Sequence, residues 1–484
     1  MNLKPYSAYK DSGVSWLGKV PEHWHIRKLR NILKGVSERN QSTLPLLSVV
    51  REKGVILRNM TNKDENHNFI PDDLTNYKVV REGQFVMNKM KAWQGSYGVS
   101  QYDGIVSPAY FVFFINEVDD AFFHSALRSK AYVPFFTQAS DGVRIGQWDL
   151  SLDRMKEIPF LLPPLPDQTA IVCFLDYMDR KIKKYIRAKQ KLIKLLEEQK
   201  QAIINDAVTG KIDVRTGKPY PKYKDSGVDW LGMVPEHWEV RRIRNIVDMR
   251  VSNIDKLTNT GEKPVRLCNY VDVYKNEHIT EHLSFMLATA LPDEIERFRL
   301  EIGDVLITKD SEEWNDIGVP AIVEFSACDL VCGYHLAILR PRKSELNGEF
   351  LFRSLQSPSV AYQFHVEATG VTRYGLAQGA IKSVLIPIPP LSEQAHIVAF
   401  LKKSTKELDQ TTTIAKTEIT LLYEYHIRLI TDIVTGKVDV REATAKLPEE
   451  IKETEADEQN LDMVEEDENQ DHSQAKEEDV PEAE

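Results

Sequence analysis

Two long stretches of the chain place apolar residues three or four positions apart on a polar background. In the first, Ile171, Leu175, Met178, Ile182, Ile186, Leu192 or Ile193, Leu196 and Ile203 recur at that spacing among Lys, Glu and Gln. In the second, Ile397, Leu401, Leu408, Ala415, Ile419, Leu422, Leu429 and Ile433 do the same. This period predicts two amphipathic helices, because residues three and four apart share one helix face. Each should run roughly 40 residues, about 60 Å at 1.5 Å per residue. Asp167 and Ser392 are the expected N-caps, and Gly210 and Gly436 the expected C-terminal glycines. Helices of that length with a one-sided stripe must bury it, and an antiparallel pairing with each other is the economical arrangement.

Outside these stretches the apolar runs are short, alternate with polar residues and are broken by Gly, Asn and Asp, which predicts strands mixed with short helices. The strand candidates are Gln84 to Met87, Ile105 to Phe114, Asp304 to Thr308, Ala321 to Phe325 and Leu330 to Leu339. Gly83 and Gly303 precede two of them as turn residues.

The two halves of the chain repeat one another. YKDSGVSWLGKVPEHW from Tyr9 returns as YKDSGVDWLGMVPEHW from Tyr223, LPPLPDQTAIVCFLD from Leu162 as IPPLSEQAHIVAFLK from Ile388, and DAVTGKIDVR from Asp206 as DIVTGKVDVR from Asp432. The first offset is 214 and the other two are 226, so the shared blocks frame two variable segments that differ in length by twelve residues. Two units of this size are a tandem duplication rather than a solenoid. The expected fold class is α+β: two duplicated globular domains separated by two long antiparallel helices, with pseudo-two-fold symmetry. The expected division is residues 1–164 and 217–390 for the globular parts, 165–216 and 391–440 for the helical spacers, and 441–484 for an acidic tail.

Charge sharpens this division. The 484 residues carry a net charge of -11, but residues 449–484 hold seventeen Asp and Glu against Lys452 and Lys476, a charge of -15. The remainder, with 60 basic and 56 acidic residues, is +4. The acidic segment, without aromatics, is expected to be disordered, while a mildly basic body permits a polyanion partner. A leader peptide and a membrane span are not expected, and four cysteines cannot form a disulfide framework, so a cytoplasmic protein is expected.

Enzymatic signatures are scarce. The Thr-Gly-Lys sequences lack the loop of a nucleotide-binding G-x-x-x-x-G-K-[ST], and neither a dinucleotide fingerprint nor an amino-methyltransferase box occurs. Pro166-Asp167 with Glu198-Gln199-Lys200 imitates a nuclease set, but about 30 residues of one helix would hold the carboxylates roughly 45 Å apart. Cys268, Cys328, Cys332 and His335 lack the spacing of a zinc site and read as small residues of a strand. The pairs His23-Trp24 and His237-Trp238 recur in identical context, which points to a structural or docking task shared by both halves; Ile171, Leu175, Ile397 and Leu401 are candidates for the same task. Polyanion-binding chemistry falls in the variable segments. Lys89, Lys91 and Gln94 lie in Asn88 to Gly95, with Arg144 and Gln147 in Gly142 to Gln147. The matching places in the second half hold Lys309, in Thr308 to Asp310, and Arg373 and Tyr374, in Gly370 to Gly375. Lys and Arg neutralise phosphates, and Arg and Gln make paired hydrogen bonds to guanine and adenine edges.

In combination, the paired Gly-Val-x-Trp-Leu-Gly-x-Val-Pro-Glu-His-Trp blocks (13–24 and 227–238), the Pro-Pro-Leu-x-x-Gln blocks and the closing Val-Thr-Gly-Lys-x-Asp-Val resemble the specificity subunit of type I restriction-modification enzymes. The likeness covers nearly the whole chain except the acidic tail. It implies two target-recognition domains, each reading half of a split, asymmetric double-stranded DNA site, with Asn88 to Gly95 as a recognition segment. It further implies helices that set the spacing and dock two modification subunits. Such a subunit has no catalysis or cofactor of its own: the modification subunits use S-adenosylmethionine, and the restriction subunits ATP and Mg²⁺. A duplicated protein-binding scaffold and a self-contained methyltransferase are the competing readings.

Overall fold

The computed structural model describes residues 3–51, 53–58, 73–142 and 148–448. Of residues 441–484, expected to form a disordered acidic tail, 449–484 lie outside the described residues, whereas Arg441–Thr444 form a short helix and Ala443 packs on the first core, so the ordered chain runs past 440. The chain forms two compact units, Met1–Tyr185 with Thr420–Glu484, and Ile186–Ile419. The division falls at the middle of both long helices, Leu165–Val208 and Leu391–Val434, each of 44 residues. The first unit therefore joins the beginning of the chain to its end.

Hydrophobic burial explains this grouping. In the first unit a four-stranded antiparallel sheet, in the order Leu33–Val36, Phe111–Ile115, Phe85–Met87, Tyr97–Val99, packs its apolar face on the helix Asp120–Arg128. The same core takes in Ile171, Phe174 and Leu175 from the start of the first long helix and Leu429, Ile433 and Val434 from the end of the second. In the second unit the five-stranded sheet runs Val247–Val251, Leu336–Pro341, Val305–Thr308, Pro320–Val323, His278–Ile279. Its core includes Ile204, Ala207 and Val208 from the end of the first helix and Ile397 and Leu401 from the start of the second. Within each unit the helix segments run antiparallel, pinned by Asp179–His426 at 3.6 Å in the first unit and by Lys200–Asp409 at 2.8 Å and Lys189–Glu418 at 2.5 Å in the second. The α+β class, the duplication and the long antiparallel helices are as the sequence leads one to expect.

Two local expectations need correction. Ile105 to Phe114 is two strands, Gly104–Val106 and Phe111–Ile115, separated by a turn in which Tyr110 N–H donates to Ser107 O at 3.0 Å and Pro108 has no N–H to give a ladder. Leu330 to Leu339 likewise divides into Leu330–Cys332, paired in parallel with Lys263–Cys268, and Leu336–Pro341 in the five-stranded sheet, with a turn between them in which Leu336 N–H donates to Gly333 O at 3.2 Å. The helix caps also differ. The helices begin at Leu165 and Leu391, and the carbonyls of Pro164 and Pro390 accept from Asp167 and Glu393 N–H at 2.9 and 2.8 Å. Asp167 and Ser392 thus lie inside the first turn, which frees the Asp167 carboxylate for a longer-range task.

Candidate nucleic-acid interface

Each unit is closed by the same node of side chains. In the first, Asp167 Oδ2 accepts from His23 Nε2 at 2.8 Å and from Trp24 Nε1 at 3.2 Å, and Arg441 approaches Oδ1 at 3.7 Å while bonding Asp439. In the second, Glu393 accepts from His237 Nε2 at 3.0 Å and Trp238 Nε1 at 3.2 Å, with Arg215 at 3.7 Å held by Asp213. The tryptophans are fully buried, so their indole N–H groups need acceptors, and the carboxylates supply them. Burial raises the Glu393 carboxyl, but hydrogen bonds from Tyr220, His237 and Trp238 and the charge of Arg215 outweigh it and hold the group below the usual range. The Thr-Gly-Lys glycines complete each node. Gly436 (φ +74°) and Gly210 (φ +74°) adopt left-handed backbone, and a Cβ on either would lie 2.4 Å from Cδ of Pro21 or Pro235.

The node also anchors the sheet side of each unit. Gln168 Oε1 accepts from Asp119 N–H at 2.8 Å, at the start of the helix Asp120–Arg128, and Gln394 Oε1 accepts from Asn347 N–H at 2.8 Å, at the start of Gly348–Gln356. Both glutamines are buried. A Pro-Pro-Leu-x-[Asp/Glu]-Gln block thereby ties the long helix to the variable module through two adjacent side chains.

The variable modules carry a matched loop and hairpin. In the first unit the segment after Phe85–Met87 meets the ribbon formed by Ser140–Asp141 and Asp149–Leu150: Leu150 N–H donates to Lys89 O at 3.1 Å, Lys89 Nζ pairs with Asp149 at 2.5 Å, and Trp93 packs on Trp148 with ring centroids 5.4 Å apart. In the second unit the segment after Val305–Thr308 meets the ribbon of Thr369–Gly370 and Tyr374–Gly375, and Leu376 N–H donates to Lys309 O at 2.8 Å. Asp310 there takes His335 Nδ1 at 2.7 Å and lies 3.8 Å from Lys309 Nζ. The two surfaces differ in charge: Asn88 to Gly95 adds two lysines, whereas Asp310, Glu312, Glu313 and Asp316 make the second loop acidic.

The structure brings Lys89, Lys91 and Gln94 to one loop, with Lys91 exposed and Gln94 half-buried, and joins Lys309 to the hairpin holding Arg373, exposed, and Tyr374, half-buried. Arg144 and Gln147 lie outside the described residues. Trp24, Trp238, Ile171, Leu175, Ile397 and Leu401 are all buried in the cores of this chain, where they hold each unit together. Sequence reasoning missed the exposed Met90 and Val371 beside these loops and the Trp93–Trp148 pair; the signal for the pair was an aromatic in each of two facing segments. Burial pushes the Cys268 and Cys332 thiols well up, away from the thiolate a metal needs, and no cluster among the described residues could hold a metal ion.

Comparison with known proteins gives a consistent outcome. Residues 235–421 match the family model of the type I restriction modification DNA specificity domain. A protein of Methanocaldococcus jannaschii, provisionally assigned as the specificity subunit of type I restriction enzyme MjaX, is 26% identical over 172 residues, 35% of this chain and 40% of that protein. The MjaVIII specificity subunit of the same organism is 21% identical over 333 residues, 67% of this chain and 71% of that protein. The chain thus matches about two fifths of the length of one relative and seven tenths of the other. A chain from a structure on complex assembly and conformational transition of the type I R-M system shares the fold with a TM-score of 0.60 at 17% identity, covering 86% of this chain and 98% of that one.

Proposed function

This chain belongs to the type I restriction-modification specificity-subunit family, and on that premise we propose that it gives a restriction-modification complex its DNA sequence specificity. Each recognition domain, within residues 1–164 and 217–390, reads one half of a bipartite, asymmetric double-stranded site. The spacer helices set the gap between the halves and dock two modification subunits, and restriction subunits join that core. The subunit is non-catalytic: S-adenosylmethionine serves the modification subunits, and ATP and Mg²⁺ the restriction subunits.

The observation that carries this reading is the repeated loop-and-hairpin, in which the Leu150 to Lys89 and Leu376 to Lys309 hydrogen bonds set equivalent ribbons beside segments of different sequence. A constant scaffold presenting variable surfaces suits reading of two unlike half-sites. Lys89 and Lys91 meet phosphates, while Gln94, Arg144, Gln147, Lys309, Arg373 and Tyr374 supply phosphate and base-edge contacts. The acidic second loop suits a cytosine-containing half-site, since carboxylates accept from cytosine N4.

Sequencing of modified adenines in cells with and without this gene tests the proposal. A split, non-palindromic motif present only with the gene is expected. Replacing Trp24 to Leu162 by the corresponding module of another family member should change one half of the motif and leave the other. A duplicated protein scaffold would instead leave the modified motif unaltered.

A further inference from the structure

The middle of the first long helix is the most strongly basic segment of the chain. Residues 180–194 contain Arg180, Lys181, Lys183, Lys184, Arg187, Lys189, Lys191 and Lys194 and no acidic residue. Five of these, Arg180, Lys184, Arg187, Lys191 and Lys194, recur at steps of four and three residues and so line one face of the unbroken helix Leu165–Val208. At 1.5 Å per residue the ridge is about 21 Å long.

Helix packing does not account for this charge. Lys183 pairs with Asp179 at 3.1 Å and Lys189 with Glu418 at 2.5 Å, whereas the five ridge residues make no ion pair among the described residues. Four of the five are exposed; Arg187 is half-buried, and its Nε is buried with no hydrogen-bond partner among the described residues. Like charges at these spacings repel and weaken the helix. The duplicated helix manages without them: at the positions matching the eight cations it carries Lys406, Glu407, Asp409, Gln410, Thr413, Ala415, Thr417 and Thr420. The charge has been concentrated in one copy of a structure that both copies share.

We propose that this ridge binds the phosphate backbone of DNA, adding sequence-independent affinity to the base readout of the modules. The inference rests on the DNA-specificity reading given above. Three of the five ridge residues are lysines, which protein interfaces deplete, and the exposed Leu195 beside Lys191 is a single aliphatic side chain at the end of the ridge rather than a cluster of aromatic or aliphatic anchors. A duplex carries one phosphate per 3.4 Å on each strand, so about 21 Å of axis offers roughly six phosphates per strand to five cations.

The test is the salt dependence of DNA binding by the full chain, using a duplex with its modification motif and a scrambled duplex. The variant R180Q/K184Q/R187Q/K191Q/K194Q should lower the slope of log K against log salt by about 3 to 4, at about 0.9 per phosphate contact. It should weaken both duplexes by a similar factor, leaving their ratio and the motif unchanged. The charge-conserving variant R180K/K184R/R187K/K191R/K194R should retain the wild-type slope, which separates loss of charge from loss of fold. An unchanged slope in the glutamine variant, with wild-type protein preferring its motif, would overturn the ridge and leave the DNA-specificity reading intact. Wild-type protein that does not distinguish the duplexes would overturn the reading beneath it. Loss of modification-subunit copurification without a slope change would make the ridge a protein-docking face and overturn the proposal. A gain in wild-type DNA affinity on deleting residues 449–484 that the glutamine variant does not show would support the proposal, because the acidic segment and DNA would then compete for the ridge.

Discussion

The two nodes differ by one methylene, and that difference predicts opposite responses to the same mutation. Tyr6 and Tyr220 sit alike, with ring centroids 5.7 and 5.8 Å from Trp24 and Trp238. Tyr220 OH donates to Glu393 Oε1, whereas Tyr6 OH is buried with no hydrogen-bond partner among the described residues: Asp167 and Glu393 are engaged by equivalent His-Trp pairs, and the shorter Asp167 makes no bond to the tyrosine. Burial raises the pKa of both hydroxyls, so both are neutral donors over the ordinary pH range. A hydrogen bond to a charged group contributes about 1.5–3 kcal/mol, and a buried unsatisfied donor costs about 1–3 kcal/mol. Tyr220→Phe should therefore destabilise the second unit by about 2 kcal/mol, while Tyr6→Phe should be neutral or stabilise the first. Asp167→Glu, which supplies the missing reach, should stabilise the first unit by about 1–2 kcal/mol once some crowding by the extra methylene is allowed for. For units of this size 1 kcal/mol corresponds to about 2–4 °C in Tm. Because two units need not unfold together, hydrogen exchange should be followed separately in peptides covering 3–9 and 435–444 and those covering 209–223. Equal losses of protection for Tyr6→Phe and Tyr220→Phe would refute the argument and imply that Tyr6 OH is satisfied.

Other perturbations follow from the same geometry. Gly210→Ala and Gly436→Ala should each destabilise their own unit by about 3 kcal/mol, from left-handed strain plus collision with Pro235 or Pro21, as measured by local hydrogen exchange. Burial, reinforced by Arg128, depresses the His124 pKa from 6.5 to about 4, and its Nδ1 accepts from Val99 N–H at 3.1 Å. The unfolded state therefore gains a proton first as pH falls, so this stabilisation is complete above about pH 6.5 and is lost between there and about pH 4, a change of order 3 kcal/mol. His124→Gln should flatten the stability of the first unit against pH in that window. Inserting four helix-forming residues after Lys194 lengthens the helix by about 6 Å; mapping of modified adenines should show the same half-sites with a gap longer by one or two base pairs. Truncation after Leu447 should spare that methylation.

Periodicity and repetition reveal what is local or duplicated. The 3.6-residue apolar stripe marked both long helices, the left-handed glycines marked their ends, and the recurrence of three blocks exposed the duplication before any contact was known. The loops holding Lys89 and Lys309 were legible because a strand pattern and polar, basic residues meet there. What the tertiary structure decided depends on pairs remote in the chain. Asp167 reads as a helix cap from its neighbours, but its acceptor capacity goes to His23 and Trp24, 144 and 143 positions away. Trp24 and Trp238 recur equally whether they dock a partner or fill a core, and only burial separates the two. Likewise, the apolar stripe of each helix is continuous in sequence, yet its two ends are buried in different units, because burial is settled by surfaces that meet after folding rather than by period along the chain.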